Sequence, residues 1–400
     1  MSASLFQQQN GNGADATTAP LHGLLVLDLA QFLSGPSAAL RLADLGARVI
    51  KVERPGSGDI CRTLYLTDTD VAGDSTLFHA INRSKESIAL DLKQPDDLAI
   101  LKRLLARADV LIQNFRPGVI ERLGLGYHAV HALNPRLVYA SISGYGESGP
   151  WAGMPGQDLL AQSLSGVTWL NGHEGEGPVP LGLSIADMLA GHVLTEGILA
   201  ALVRRGIVGT GSLVQTSLLE ALIDLQFELL TTHLNDGRRP PARAEFRNAN
   251  AYLAAPYGLY PTADGYLALA MMPLSQLAAT LPLPELQQYD ANAAFEQRDA
   301  IKRLIAATLI REPTAYWLSR LQPADIWCAE VLDWPALLES EALKRLDMLQ
   351  TVARQDGTAI HTTRGPLRVN GVRAQSTHAA PRVGEHTAAI LAEFGLTGPA

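Results

Sequence analysis

A strand–helix–strand run near the start of the chain constrains its fold more than any other feature. Leu24-Leu25-Val26-Leu27-Asp28-Leu29 is a short apolar stretch of the kind buried in a parallel sheet. A turn follows at Gln31-Phe32-Leu33-Ser34-Gly35-Pro36. Residues 38–45 then repeat apolar side chains at helical spacing, and Gly46 stands where a C′ glycine belongs. Arg48-Val49-Ile50-Lys51-Val52 is a second strand, ending in Glu53-Arg54. Two strands joined by one helix make a βαβ unit, which folds with a right-handed crossover into a parallel sheet. The alternation continues, with strands at 87–92, 110–114, 137–142 and 213–216 and a helix at 95–107. The fold class this predicts is α/β.

A parallel sheet puts its ligands in the crevice at the carboxyl ends of its strands. That topology brings Leu33, Ser34, Arg54, Asn114, Phe115, Gly144 and Tyr145 toward one edge. The first turn lacks G-x-G-x-x-G, so nothing marks it as a dinucleotide site. Glu53, at the tip of the second strand, is the right kind of residue for a ribose contact.

The second half reads differently. A Gly- and Pro-rich loop at 147–156 leads into a helix at 157–166. Asp187 stands between a short apolar run and a long helix, 188–204, that carries the small residues Ala190, Gly191 and Gly197. On its own, Asp187 reads as the N-cap of that helix, accepting N–H bonds that the first turn leaves open. A long amphipathic helix is expected at 217–234. A linker follows at Gly237-Arg238-Arg239-Pro240-Pro241, then a hairpin around Asp264-Gly265 and helices near 274–280, 297–311 and 314–321. Short strands near 350–369 and a last helix after His386 close the chain.

Composition removes several function classes. A formal net charge of −8 argues against a nucleic-acid partner recruited by bulk electrostatics. Two cysteines, Cys61 and Cys328, far apart and without metal-ligand spacing, give neither a disulfide framework nor a zinc site, and fit the cytoplasm. Residues 1–20 are polar, with no basic start and no apolar core of a signal peptide, and read as a disordered tail. No apolar run reaches the length expected of a membrane span.

Several stretches resemble the class III CoA-transferases, the family of formyl-CoA:oxalate and carnitine CoA-transferases. They are Gly46-Ala47-Arg48-Val49-Ile50-Lys51-Val52-Glu53-Arg54-Pro55-Gly56-Ser57-Gly58-Asp59, residues 85–93, Asn114-Phe115-Arg116-Pro117-Gly118, Ser143-Gly144-Tyr145-Gly146, residues 161–166 and residues 381–387. Each motif is modest; their order and spacing along the chain from about Leu21 to the C-terminus are specific.

The resemblance implies a Rossmann-like large domain built from both chain ends (21–225 and 346–400) and a smaller α+β domain at 251–330. Linkers at 226–250 and 331–345 join them, and two ring-shaped chains interlock as a homodimer. It implies coenzyme A as a substrate, acyl-CoA and small carboxylic acids as partners, and no metal. The family's nucleophilic aspartate falls on Asp187, a role compatible with capping. Arg54, Lys93 and Arg122 match residues that hold the CoA phosphates and nucleotide; each alone also reads as a solvated surface charge. Leu33, Ser34, Leu90, Asn114 and Phe115 match positions lining CoA, and Phe115 also reads as core.

Two departures bear on substrate. The family's tetraglycine loop is replaced by Asn250-Ala251-Tyr252-Leu253-Ala254-Ala255, which argues against an oxalate/formyl pair. Gln157 replaces a tyrosine. The α-methylacyl-CoA racemases share this fold but need a histidine at that position, where glutamine cannot titrate. A racemase and a non-catalytic CoA-binding protein stand as the alternatives to a transferase.

Overall fold

The computed structural model describes residues 19–64, 69–376 and 378–396. By internal contacts the chain divides into two compact units. One comprises Met1–Ala161, Ser184–Ile223 and Glu341–Ala400; the other comprises Gln162–Leu183 and Asp224–Ser340.

The first unit is organised by a six-stranded sheet. In chain order the strands are β1 (Leu25–Asp28), β2 (Arg48–Glu53), β3 (Lys85–Ala89), β4 (Val110–Gln113), β5 (Val138–Ser143) and β6 (Leu213–Ser217). Their order across the sheet is β3-β2-β1-β4-β5-β6, and every pairing is parallel. All but the edge strand β6 are largely buried, and the residues of the central strands alternate between two cores. Val26, Val49, Val110 and Ala140 pack with helices α1 (Ser34–Asp44) and α4 (Ile185–Val208). Leu25, Leu27, Ile50, Leu111 and Tyr139 pack on the other side with helix α2 (Pro95–Leu105) and with Ile390 of the C-terminal helix Thr387–Glu393. Helix α3 (Asp158–Ser165) precedes α4 in the chain.

Three expectations are corrected here. The third strand starts at Lys85 rather than 87 and ends at Ala89, because Lys85 and Ser87 are polar residues fully buried in the strand. The helix expected at 217–234 is two helices, Leu218–Leu225 and Phe227–Asn235, interrupted at Gln226. The third concerns α4, whose 24 residues are long and apolar enough, by length and composition, to cross a membrane. Asp187 and Glu196 divide it into runs that each look too short. Ala186, Ala190, Gly191, Leu194, Ile198 and Ala201 bury one stripe of it in the unit's core.

The direction of α4 positions the site. At its far end, Arg205 pairs with Asp109 at 2.9 Å, and Asp109 in turn accepts the Leu25 N–H that opens β1. The end of α4 therefore lies at the strands' amino edge, and its start lies at their carboxyl edge. About 36 Å of helix, at about 1.5 Å per residue, separates the two. Gly191 lets α4 cross α1 closely: a Cβ there would collide with Ser37 Oγ and lie 2.8 Å from the Ser34 carbonyl oxygen.

The second unit carries a three-stranded antiparallel sheet. Gly258–Pro261 and Tyr266–Leu269 form the expected hairpin, and Cys328–Glu330 adds the third strand. Tyr260, Leu267, Leu277, Ile301, Ile305 and Trp317 fill its core. Buried Arg298 and Lys302 donate to the carbonyls of Ala251 and Arg247, and so fasten the segment that leads into the hairpin.

Candidate active site

The loop after β1 is held from below by buried charge. Lys85 Nζ donates to Asp28 at 2.9 Å and to the Pro36 carbonyl at 2.8 Å; Lys51 Nζ meets Asp59 at 2.8 Å and the Ala30 carbonyl at 2.8 Å. All four ionic side chains are 2% exposed or less. Asp28 also accepts the Ala30 N–H, and Asp59 accepts the Phe32 N–H. Phe32 has φ 63°, a left-handed conformation that a bulky residue adopts only when its surroundings over-determine it. From the neighbouring strand, Asn114 exchanges two hydrogen bonds with the Gln31 backbone, at 2.8 and 2.9 Å. Leu33 and Ser34 are thereby fixed at the start of α1, at the β1/β4 boundary where the strand order reverses.

Glu53 belongs to the same floor. It accepts a two-point bond from Arg62 (2.8 and 2.7 Å), the Ser87 hydroxyl at 2.6 Å and the Asp59 N–H. Arg62 also pairs with Asp74 at 2.9 Å, and Arg354 closes on the other oxygen of Asp74. A Glu53 that is 3% exposed and saturated in this way is structural, so the reading of it as a ribose contact is withdrawn. Sequence patterning saw an acidic residue at a strand tip but could not see Arg62 folding back onto it.

Asp187 is not the N-cap of α4. Ser184 holds the cap position, and Asp187 is the third residue of the helix. Asp158, at the start of α3, does the capping from outside: one of its oxygens accepts the N–H of Ala186 at 2.7 Å and that of Asp187 at 3.2 Å. A close crossing delivers Asp158. Gly144, just past β5, and Gly156 pass backbone against backbone, so that a Cβ on either would lie 2.8 or 2.7 Å from the other's Cα. Tyr145 Oη holds the same loop through the Pro155 carbonyl at 3.1 Å. The sequence offered Asp158 only as an acidic residue beginning a helix.

The Asp187 side chain is left without a capping role of its own, and Ser34 at the start of α1 is its polar neighbour. Burial pushes Asp187 up to about 6 from an ordinary 3.8, and the neighbouring Asp158 charge pushes the same way; the Ser34 donors oppose them. No cation pairs with Asp187 among the described residues. Asp187 lies in the first turn of α4, whose positive end favours a carboxylate. Such a group is ionised at pH 7 yet more basic than an ordinary aspartate, which suits attack on a carbonyl or acceptance of a proton.

The other expected contacts lie along the same sheet edge. Arg54 follows β2 and Leu90 follows β3; Asn114 and Phe115 follow β4. Leu90 is buried, and Phe115 is half-buried against the α2-side core. Arg54, Lys93 and Arg122 are exposed, and none forms an ion pair among the described residues. Gln157, at the position where a racemase would need a histidine, is exposed; His192 is exposed on α4 and bonded to the Met188 carbonyl at 2.6 Å. No group of three or more His, Cys, Asp or Glu side chains suited to a metal occurs among the described residues.

Comparison with known proteins agrees across nearly the whole chain. The profile of CoA-transferase family III matches residues 21–387. A succinate–glutarate CoA-transferase of Agrobacterium fabrum is 31% identical, over 94% of this chain and 96% of its own length. An acetyl-CoA:oxalate CoA-transferase of Acetobacter aceti is 32% identical, with the same two coverages. A CAIB/BAIF family protein from Brucella suis superposes with a TM-score of 0.81 at 30% identity, over 94% of this chain and 99% of that one.

Proposed function

The chain belongs to CoA-transferase family III, and from that premise we propose that Asp187 is the carboxylate through which it moves CoA between acids. Transfer of CoA from an acyl-CoA to a carboxylic acid is the activity of the enzyme. The observation supporting Asp187 as its centre is a carboxylate at a strand-edge crevice, in the first turn of α4 and beside Ser34, with no cation paired to it among the described residues.

Asp187 attacks the donor thioester carbonyl. A C–O bond forms, the C–S bond breaks, and CoA leaves as thiolate. The thiolate attacks the Asp187 carbonyl of the mixed anhydride, giving an aspartyl-CoA thioester and releasing the donor's acid. The acceptor carboxylate attacks that thioester, and the returning thiolate takes the new acyl group and frees Asp187. Covalent passage divides one hard exchange into easier ones. Arg54, Lys93 and Arg122 hold the phosphates and nucleotide by charge-assisted bonds, and Leu33, Leu90, Asn114 and Phe115 line the CoA channel. The relatives' names point to small dicarboxylic acids, such as succinate and glutarate, as the acceptors to test first. Interlocking of two chains as a homodimer is part of the reading. It is supported by exposed apolar side chains such as Val203 (69%) and Ile207 (74%) on α4, and by Phe227 (69%) on the helix Phe227–Asn235. Cysteine usage favours the cytoplasm.

Mixing the enzyme with succinyl-CoA and mapping the adduct by peptide mass tests this reading. CoA or acyl mass on Asp187, removed by hydroxylamine, is expected. α-Proton exchange with deuterated water and no CoA transfer would assign proton chemistry instead.

A further inference from the structure

We propose that Thr387 is a positioning residue for coenzyme binding: with Gly384 and His386 it clasps the carboxyl end of β3, and so sets the turn from Leu90 to Lys93 against CoA. The proposal rests on the reading of Leu90 and Lys93 as CoA contacts.

β3 lies at the edge of the six-stranded sheet, beside β2. The backbone groups on the outer side of such a strand have no ladder to join and must find other partners. A segment close to the C-terminus supplies them. His378 Nε2 meets the Lys85 carbonyl at 3.1 Å. At Ser87, His386 Nδ1 accepts the N–H at 3.2 Å, and the His386 N–H donates to the carbonyl at 3.0 Å. Thr387 Oγ1 accepts the N–H of Ala89, the last residue of the strand, at 3.0 Å. The fit is close. Gly384 has φ 67°, and a Cβ there would lie 2.8 Å from the Ala89 Cβ and 3.0 Å from Thr387 Oγ1.

The clasp reaches the coenzyme contacts through short, fastened paths. The Gly384 N–H donates to the Ser87 hydroxyl oxygen at 2.9 Å, and that hydroxyl donates to Glu53 at 2.6 Å. The Leu90 N–H donates to the Glu53 carbonyl at 2.8 Å, so the ends of β2 and β3 are tied together just before Arg54. Beyond Leu90 the turn has little slack. Asp97 accepts the Asp91 N–H at 2.7 Å, and Asp91 accepts the Lys93 N–H at 3.1 Å through its side chain and the Gln94 N–H at 2.8 Å through its carbonyl. A displacement of Ala89 is therefore carried to Leu90 and Lys93 rather than absorbed between them. Thr387 is half-buried, and replacing its hydroxyl by a methyl group leaves the Ala89 N–H without this acceptor.

The test measures kcat and KM for an acyl-CoA that wild type turns over and for the matching acyl-pantetheine, which lacks the nucleotide and its phosphates. Thr387→Val, Thr387→Ser and Lys93→Ala are compared with wild type. Thr387→Val is expected to raise KM for acyl-CoA by about 3- to 10-fold with kcat within about 2-fold, and to leave acyl-pantetheine turnover unchanged. Its preference for acyl-CoA over acyl-pantetheine then falls by the same factor, as it does in Lys93→Ala, and Thr387→Ser restores it. Equal losses on both donors in Thr387→Val would overturn the proposal, since they mark a general structural defect. So would a loss that Thr387→Ser does not repair, or an unchanged preference in Thr387→Val while Lys93→Ala lowers it. An unchanged preference in both would remove the reading of Lys93 as a CoA contact, and the positioning role with it.

Discussion

Two sets of carboxylates, one buried and one half-buried, lie within the same unit, and the protein treats them in opposite ways. Below the β1 loop, Asp28, Glu53, Asp59 and Asp74 each meet a lysine or arginine within 2.9 Å or less. At the crevice, Asp158 accepts the N–H groups of Ala186 and Asp187, and no lysine or arginine pairs with Asp187 among the described residues. The first arrangement fixes geometry, since a buried ion pair with satisfied hydrogen bonds resists displacement even where it adds little net stability. The second leaves charge uncompensated and raises the basicity of one carboxylate. The ion-paired set therefore acts as scaffold, and Asp187, with no cation beside it among the described residues, is the carboxylate proposed to react.

Replacing the reactive carboxylate should have the largest effect. Asp187→Ala should reduce CoA transfer at least about 1,000-fold with the fold retained, as expected when a covalent carrier is removed. Steady-state transfer assays beside thermal unfolding check it, and residual activity near wild type would erase the contrast between the two sets.

Lys85→Met breaks the scaffold instead. It strands Asp28, 0% exposed, beside only the more distant Lys51, 3.8 Å away, and should cost about 3–5 kcal/mol in denaturant unfolding. Asp187→Asn should move the other way. The folded-state pKa of Asp187, about 6, lies above its ordinary 3.8, so between those values the folded state binds the extra proton. Its contribution to stability then falls as pH rises through that window and stays lost above it. Asn removes this slope, so the variant should unfold at equal or higher denaturant than wild type at pH 7 and show no such loss between pH 4 and 6.

Asp158→Asn sharpens the comparison within the pair. It keeps an oxygen to cap α4 but removes the like charge, so the acid limb of the pH–rate profile, set near pH 6 by Asp187, should move toward lower pH. The smallest effects belong to the rim. Arg54→Ala, Lys93→Ala and Arg122→Ala should each raise KM for acyl-CoA a few-fold at low salt, with stability within about 0.5 kcal/mol of wild type.

The sheet was the most legible part of the sequence. Continuous apolar strands separated by helical spacing leave few topologies, and the hairpin at Asp264-Gly265 carried its own turn chemistry. Polar residues that pair across long sequence distances were not legible. Lys85 was left outside the expected strand, and its partner, Asp28, is 57 residues away. Asp187 read as a cap because nothing local shows that Asp158, 29 residues earlier, has taken that duty. Topology placed Ser34 at the strands' carboxyl edge, but the close crossing of α1 and α4 at Gly191, beside the Ser34 carbonyl, is recorded by no spacing in the sequence.

Turnover with an acceptor acid carrying heavy oxygen in both carboxylate positions tests the central claim most directly. When that carboxylate attacks the aspartyl-CoA thioester, and thiolate then takes its acyl group, one acceptor oxygen stays behind on Asp187. Peptide mass spectrometry should find heavy oxygen in the Asp187 peptide, localised to that side chain. Continued CoA transfer with no label on Asp187, or with label on Asp158 instead, would contradict it.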